Sequence, residues 1–245
     1  MTFLDHLVEL RKTLIFCICS ILIAIIPCGI YWENIFIFLA NNPLILADPM
    51  PRLIYTAPAE TVMLSLKIAF VSGTVLASPI VFWRIWRFIA PGLFTKEKKI
   101  ILPVVALSTI CFLFGFVFCF YLFPYVFQFL TSFAGNTIEP MYKIDEYLSF
   151  VLNMSFAFGI IFELPILTFL LTKMSIIDHH FLLKYFRYII VGIFIIAAII
   201  TPPDLFSQII VACPLLILYS ISILVAYCVK RKKDNGKEDS SLHSI

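Results

Sequence analysis

Glu163 is the residue whose placement most needs a chemical reason. It lies in a run from Leu148 to Thr172 that is apolar almost throughout and long enough to cross a bilayer. A carboxylate at such depth is costly unless it faces other helices or a wet cavity, so it is a functional-site candidate. On one continuous helix, Ser149, Asn153 and Glu163 would fall within about 80° of one another. The opposite side is Phe, Ile and Leu. The spacing predicts a lipid-facing flank and an intramembrane polar flank turned toward the protein.

Two more carboxylates stand among bases. Glu9 lies in His6-Leu-Val-Glu-Leu-Arg-Lys12, whose Phe3, Leu7, Leu10 and Leu14 are spaced for a short amphipathic helix at the membrane interface. Arg11 and Lys12 suit an anionic lipid surface, whereas Glu9 gains nothing there. Glu97 lies in Thr95-Lys-Glu-Lys-Lys99. Thr95 can cap the following helix and place Glu97 in its first turn, where an acid favours the helix dipole. The alternative role is to receive a guanidinium in a bidentate fork. Lys67 lies roughly 10 Å from the outer end of its span by helix rise. It is expected to snorkel outward or to pair near Asp204 or Gln208, and it lies too far in depth from Glu163 to pair with it.

No nucleophile with a base, phosphate-binding loop or metal cluster emerges. The seven cysteines form no C-x-x-C pair, and adjacent His179 and His180 cannot share a helix face. The expectation is a protein that is no enzyme and takes no cofactor, metal or nucleic acid.

Composition sets the medium. The chain has 245 residues, of which 62% are hydrophobic and 13% charged, and its mean hydropathy is +1.03. Soluble domains carry about 25% charged residues, so this is an all-α integral membrane protein. Apolar runs cover 13–32, 62–83, 101–126, 148–172, 188–200 and 205–228. The first is read as an uncleaved span. The fifth has only 13 residues before Thr201-Pro-Pro-Asp204 ends it, so the last two spans form a tight hairpin. Six spans place both termini on one side. Fifteen Lys and Arg residues then share that side, against Arg52 and Lys143 on the other. This asymmetry predicts cytoplasmic termini.

Trp83, Trp86, Phe88 and Phe94 are of the kind that settle at the membrane interface. Pro79, Pro103, Pro124, Pro165 and Pro214 fall in or at the ends of spans and predict a kinked, concave bundle. The outer segment 33–61, with Pro43, Pro49, Pro51 and Pro58, allows at most short helices. Residues 1–229 read as one six-span domain, and 230–245 as a disordered cytoplasmic tail.

The segments HLVELRK, FIAPGLFTKEKK, YLSFVLNMSFAFGIIFELP and ITPPDLFSQ occur in order across residues 3–228. Together they resemble TatC, the polytopic subunit of the twin-arginine translocase. The resemblance implies a signal-peptide receptor and scaffold that exports folded proteins with the proton-motive force. It implies a bacterial inner membrane, or an organellar one. It also implies single-span TatA/TatB-type partners, twin-arginine signal peptides, membrane lipid, and further copies of the chain in the receptor complex. By motif, Glu9, Arg11, Phe88, Leu93 and Glu97 are similar to the signal-peptide site. Glu163 is similar to the family's intramembrane glutamate, and Pro43, Asp204 and Gln208 are similar to partner-docking positions. Relatives often carry His before the acid where this chain has Lys96. A rival reading is a proton-coupled small-solute transporter with Glu163 as proton carrier.

Overall fold

The computed structural model describes the backbone of residues 3–44, 52–89, 101–132, 141–201 and 204–242. Side chains are described over 7–40, 53–89, 101–132 except 131, 141–201 and 204–230. The elements in chain order are α1 (Phe3–Ile30), α2 (Trp32–Leu44), β1 (Arg52–Ile54), α3 (Pro58–Ile89) and α4 (Ile101–Ser132). Then follow β2 (Met141–Lys143), α5 (Ile144–Ile161), α6 (Leu164–Lys173), α7 (His179–Lys184), α8 (Phe186–Ile200) and α9 (Leu205–Leu242). They form two compact units, Met1–Gly159 and Ile160–Ile245.

Among the described residues five helical stretches are long and apolar enough to cross a membrane: Leu7–Ile30, Pro58–Ile89, Ile101–Leu130, Ile144–Lys173 and Leu205–Lys230. The short fifth run is helix α8, whose 15 residues reach about 22 Å at 1.5 Å each. Three readings need correction. The N-terminal amphipathic segment is no separate interfacial helix, because α1 runs unbroken from Phe3 into the first span. The outer segments are not purely helical or irregular: β1 and β2 pair in parallel, Leu53 opposite Tyr142. The fourth run is not one helix. Pro165 has no N–H to give the preceding turn, so the helix stops at Ile161 and restarts at Leu164. The tail 230–245, expected to be disordered, has its backbone described to Leu242 as a continuation of α9, while its side chains beyond Lys230 and residues 243–245 lie outside the described residues.

In the first unit, α1 and α3 run antiparallel. Ile25 meets Gly73, Gly29 meets Ala69, and the Arg84 guanidinium lies 5.0 Å from the centre of the Phe16 ring. A lipid solvent gives no hydrophobic drive to join helices, so close backbone approach and van der Waals contact must do so. A Cβ at Gly73 would lie 2.9 Å from the Ile25 backbone. Antiparallel α4 and α5 join through rings: Phe112 with Phe156 at 6.2 Å, Phe123 with Tyr147 at 5.6 Å, and Phe127 with Tyr147 at 5.7 Å. At the end of the seam nearest β2, Tyr142 meets Phe127 at 4.9 Å, which carries the seam into the small sheet. Trp86 is buried and donates Nε1–H to Ser108 Oγ at 2.8 Å, tying α3 to α4. It is therefore a packing residue and no interfacial anchor; Trp83 is exposed.

In the second unit α9 packs against α6, α7 and α8. The Tyr219 hydroxyl donates to the Leu182 carbonyl at 2.8 Å. The α6 terminus is closed by Ser175 at φ 60°, with Ser175 N–H on Thr172 O and Ile176 N–H on Leu171 O. That is a Schellman closure with serine where glycine is usual.

Gly73→Ala should force α1 from α3 and lower stability by about 1–3 kcal/mol. Gly29→Ala, whose Cβ would meet Ala69 at an ordinary 3.7 Å, should be near neutral. Thermal unfolding of both variants in one detergent compares them directly.

Candidate functional site

The best-defined polar cluster joins α3 to α5. Lys67 donates to Asp145 Oδ1 at 2.6 Å, Asp145 Oδ2 at 2.9 Å and Ser149 Oγ at 2.9 Å. The expected snorkelling, or pairing near Asp204 or Gln208, is thus replaced by an ion pair with Asp145. The cause lies in where α5 begins. It starts at Ile144, so Asp145 and Glu146 occupy its first turn, where acids favour the dipole. Asp145, Ser149 and Asn153 then recur every four residues on one face. Lys67, Phe70 and Val71 offer the matching face of α3. Between them lies a cavity of about 290 Å³, lined also by Leu152 and Phe156. Sequence reading found Ser149 and Asn153 but left Asp145 in a loop. Its spacing four residues before Ser149 was the available signal.

Glu163 is not a mid-helix residue. It is the N-cap of α6, with its N–H on Ile160 O at 3.1 Å and its own carbonyl accepting from Ile166 and Leu167. Both carboxylate oxygens are buried. The break that Pro165 creates sets this acid at the start of a new helix inside the apolar run, without a side-chain bond to the cap N–H groups. The single helical face expected for Ser149, Asn153 and Glu163 is interrupted there.

The basic-flanked set is partly described. The antiparallel register of α1 and α3, carried on from the Phe16–Arg84 contact, brings the first turns of α1 beside the last turn of α3. Half-buried Glu9, exposed Arg11 and half-buried Phe88 therefore share one end of that pair. Glu9 and Arg11, two residues apart, point to different sides of α1. Leu93 and Glu97 lie outside the described residues, as does the Pro43 side chain.

At the α8–α9 hairpin, Asp204 caps α9. Its Oδ2 accepts Ser207 N–H at 2.7 Å, and its carbonyl accepts Gln208 N–H at 3.2 Å. Gln208 Nε2 donates to Phe194 O at 2.9 Å and braces α9 against α8. The Gln208 amide nitrogen therefore has a partner within the chain. Buried Asp204 Oδ1 and Ser207 Oγ have no hydrogen-bond partner among the described residues.

At the other end of α9, Lys230 pairs with Asp178 at 3.1 Å, and His179 stands edge-on to Tyr227 at 5.3 Å. Burial first, then the His180 and Lys230 charges, hold His179 below the usual imidazole range, with Asp178 pulling the other way. Among the described residues no group of His, Cys, Asp and Glu is arranged to hold a metal.

These features define a class: a polytopic helical membrane protein with carboxylates at one helix-pair end and at an intramembrane helix start, and no catalytic constellation among the described residues. The profile of the Sec-independent protein translocase protein (TatC) family matches residues 5–214. The chain belongs to that family. It is 43% identical over 235 residues to the Sec-independent protein translocase protein TatC of Helicobacter pylori strain J99, covering 96% of this chain and 92% of that one. It is 41% identical to the Carboxydothermus hydrogenoformans protein of the same name, covering 97% of each. A crystal structure of the twin arginine translocase receptor TatC superposes with a TM-score of 0.85 at 36% identity, over 92% of this chain and 99% of that one. The protein is thus a membrane component of twin-arginine protein transport.

Two outcomes are expected. Lys67→Met and Asp145→Asn should each destabilise the protein by about 1–2 kcal/mol, because each strands a part-buried charge, and the double variant should recover much of the loss. Equal additive losses in a double-mutant cycle would show no coupling. Because His179 is held neutral in the fold, the unfolded chain binds its proton first as pH falls. Stability should be full above the ordinary histidine pKa of about 6.5 and decline below it. In thermal melts across that range, His179→Gln should flatten the decline.

Proposed function

We propose that this chain is the signal-peptide receptor and scaffold of a twin-arginine translocase, exporting folded proteins with the proton-motive force. The observation that carries the reading is the near-complete superposition on a solved protein described as the twin arginine translocase receptor. The shared end of α1 and α3, bearing Glu9, Arg11 and Phe88, supports it. Glu9 supplies a carboxylate for a guanidinium, Phe88 an apolar neighbour for a hydrophobic segment, and Leu93 and Glu97 complete the set. The proposed topology has six spans, α8 being the short fifth, with both termini in the cytoplasm and the protein in the bacterial inner membrane. The fifteen-to-two basic asymmetry supports that orientation.

Single-span TatA/TatB-type subunits are proposed to dock at the α8–α9 hairpin, with other copies of the chain joining the receptor complex. Gln208 braces the hairpin, and Asp204 Oδ1 and Ser207 Oγ remain for the partner. Exposed Leu205 and Ile209 flank them on α9 and offer apolar contact. Glu163 in this reading shapes the membrane interior and carries no obligatory proton. The rival, a proton-coupled solute transporter, requires that it does. Glu163→Gln should accordingly retain partial export, whereas complete loss of export with normal assembly would favour Glu163 as a proton carrier.

The test of recognition compares binding of Arg-Arg and Lys-Lys signal peptides in detergent. A hydrogen bond to a charged group is worth about 1.5–3 kcal/mol, so Glu9→Gln or Glu97→Gln should weaken Arg-Arg binding by about tenfold or more and erode the preference. Variants that stay folded and keep the full Arg-Arg preference would place the site elsewhere.

A further inference from the structure

We infer that the start of α7 is an acid-released latch: protonation of His179 frees residues 178–180 from the end of the α9 span, while the rest of α7 stays docked. The two ends of α7 are held by different chemistry. Downstream, Leu182 is buried, its carbonyl accepts the Tyr219 hydroxyl at 2.8 Å, and the Phe186 ring lies 5.9 Å from that of Tyr219. Nothing in those contacts changes charge near neutral pH. Upstream, the closure at Ser175, with φ 60°, fixes the chain as it leaves α6. Between these two fixed points the first turn of α7 meets α9 through charge and rings. Asp178 pairs with Lys230 at 3.1 Å, and the His179 ring stands at 87° to that of Tyr227, 5.3 Å away. Asp178 makes no side-chain cap bond to α7, so its carboxylate serves α9 rather than its own helix.

His179 is the weak point of that contact. Its Nδ1 is buried and has no hydrogen-bond partner among the described residues. A neutral imidazole can leave a bare acceptor there. An imidazolium carries N–H on both nitrogens and would bury a donor with nothing to receive it. Charge acts in the same direction. Facing His179 are Asp178 and His180 from its own segment, the His180 ring 4.0 Å away, and Lys230 and Tyr227 from α9. Among the described residues no charged group of α6 or α8 acts on it. Burial first, then the His180 and Lys230 charges, keep the docked imidazole below its usual range. Asp178 is the one carboxylate in this set, and Lys230 already holds it. Protonated His179 would therefore stand beside a like charge with its counter-ion taken. Asp178 and His180 are already exposed, so a small outward movement takes His179 into water and removes both costs. In the proposed topology this end lies in the cytoplasm, and the latch answers to cytoplasmic acid. None of its contacts involves the proposed signal-peptide residues.

The test uses the full chain in detergent, with 4-fluorophenylalanine at Tyr227 in one sample and at Phe186 in another, read by fluorine NMR. His179→Ala marks the Tyr227 signal without its ring neighbour. An ordinary histidine titrates at about 6.5, so lowering the pH from about 7.5 to about 5.5 should raise the released population by up to about tenfold. The Phe186 signal should not change. His179→Phe keeps a ring beside Tyr227 but takes no proton, and should abolish the pH response, whereas His180→Gln should retain it. Asp178→Asn should raise the released population already at neutral pH. A Tyr227 signal indifferent to pH in the unaltered chain would overturn the inference. So would a response that survives in His179→Phe, which assigns it to another group, or one that Phe186 follows in step, which assigns it to loss of the whole fold. Signal-peptide binding by the Glu9 and Glu97 variants is read separately and bears on none of these outcomes.

Discussion

In a lipid solvent apolar contact does not by itself select one helix arrangement, because hydrocarbon tails serve apolar faces equally well. Everything specific in this chain follows from that constraint. Order must come from surfaces that approach more closely than lipid can, and from polar groups that find no partner in hydrocarbon. Gly73 against the Ile25 backbone is the first kind, and the Lys67–Asp145–Ser149 cluster is the second. The ring seam of α4 and α5 adds area and edge-to-face geometry that lipid tails cannot copy. The same logic explains why isolated polar side chains tie elements together: Trp86 to Ser108, Gln208 to the Phe194 carbonyl, Tyr219 to the Leu182 carbonyl. In water each would have a solvent alternative. In the membrane each bond replaces an unmet donor, which raises the cost of any other arrangement.

Much of this architecture was legible because span length and charge depletion are strong one-dimensional signals. The short fifth run, ended by Thr201-Pro-Pro-Asp204, became the 15-residue α8 followed by α9. What escaped was pairwise. Nothing local to Lys67 or to Asp145 announces the other, 78 residues away. Taking the apolar run to begin at Leu148 hid the acid, because the helix starts four residues earlier, in polar sequence. The β1–β2 pair was illegible for a similar reason: two three-residue strands carry no period of their own. Trp86 was misread because an aromatic with a polar handle suits both an interface and a buried serine. Only the facing residue, Ser108, decides between them.

Pro165 shows how one residue changes the meaning of another. As a mid-helix acid, Glu163 would need a wet cavity or a counter-ion. As the N-cap of α6 it stands outside the helix ladder, with its own carbonyl receiving the first N–H groups of α6. The proline that removes a backbone bond thereby turns a mid-span acid into a helix-start residue. Asp204 obeys the same rule at the start of α9, with Oδ2 on the Ser207 N–H. Two of the acids singled out in the apolar half of the chain therefore sit at helix starts made by prolines, Pro165 after one and Pro202-Pro203 before the other. Helix starts thus give this chain places for acids that the middle of an apolar helix does not. Lys67 has no such device, since a cation gains nothing in mid-helix. Its charge is met by a partner from another helix, Asp145 of α5.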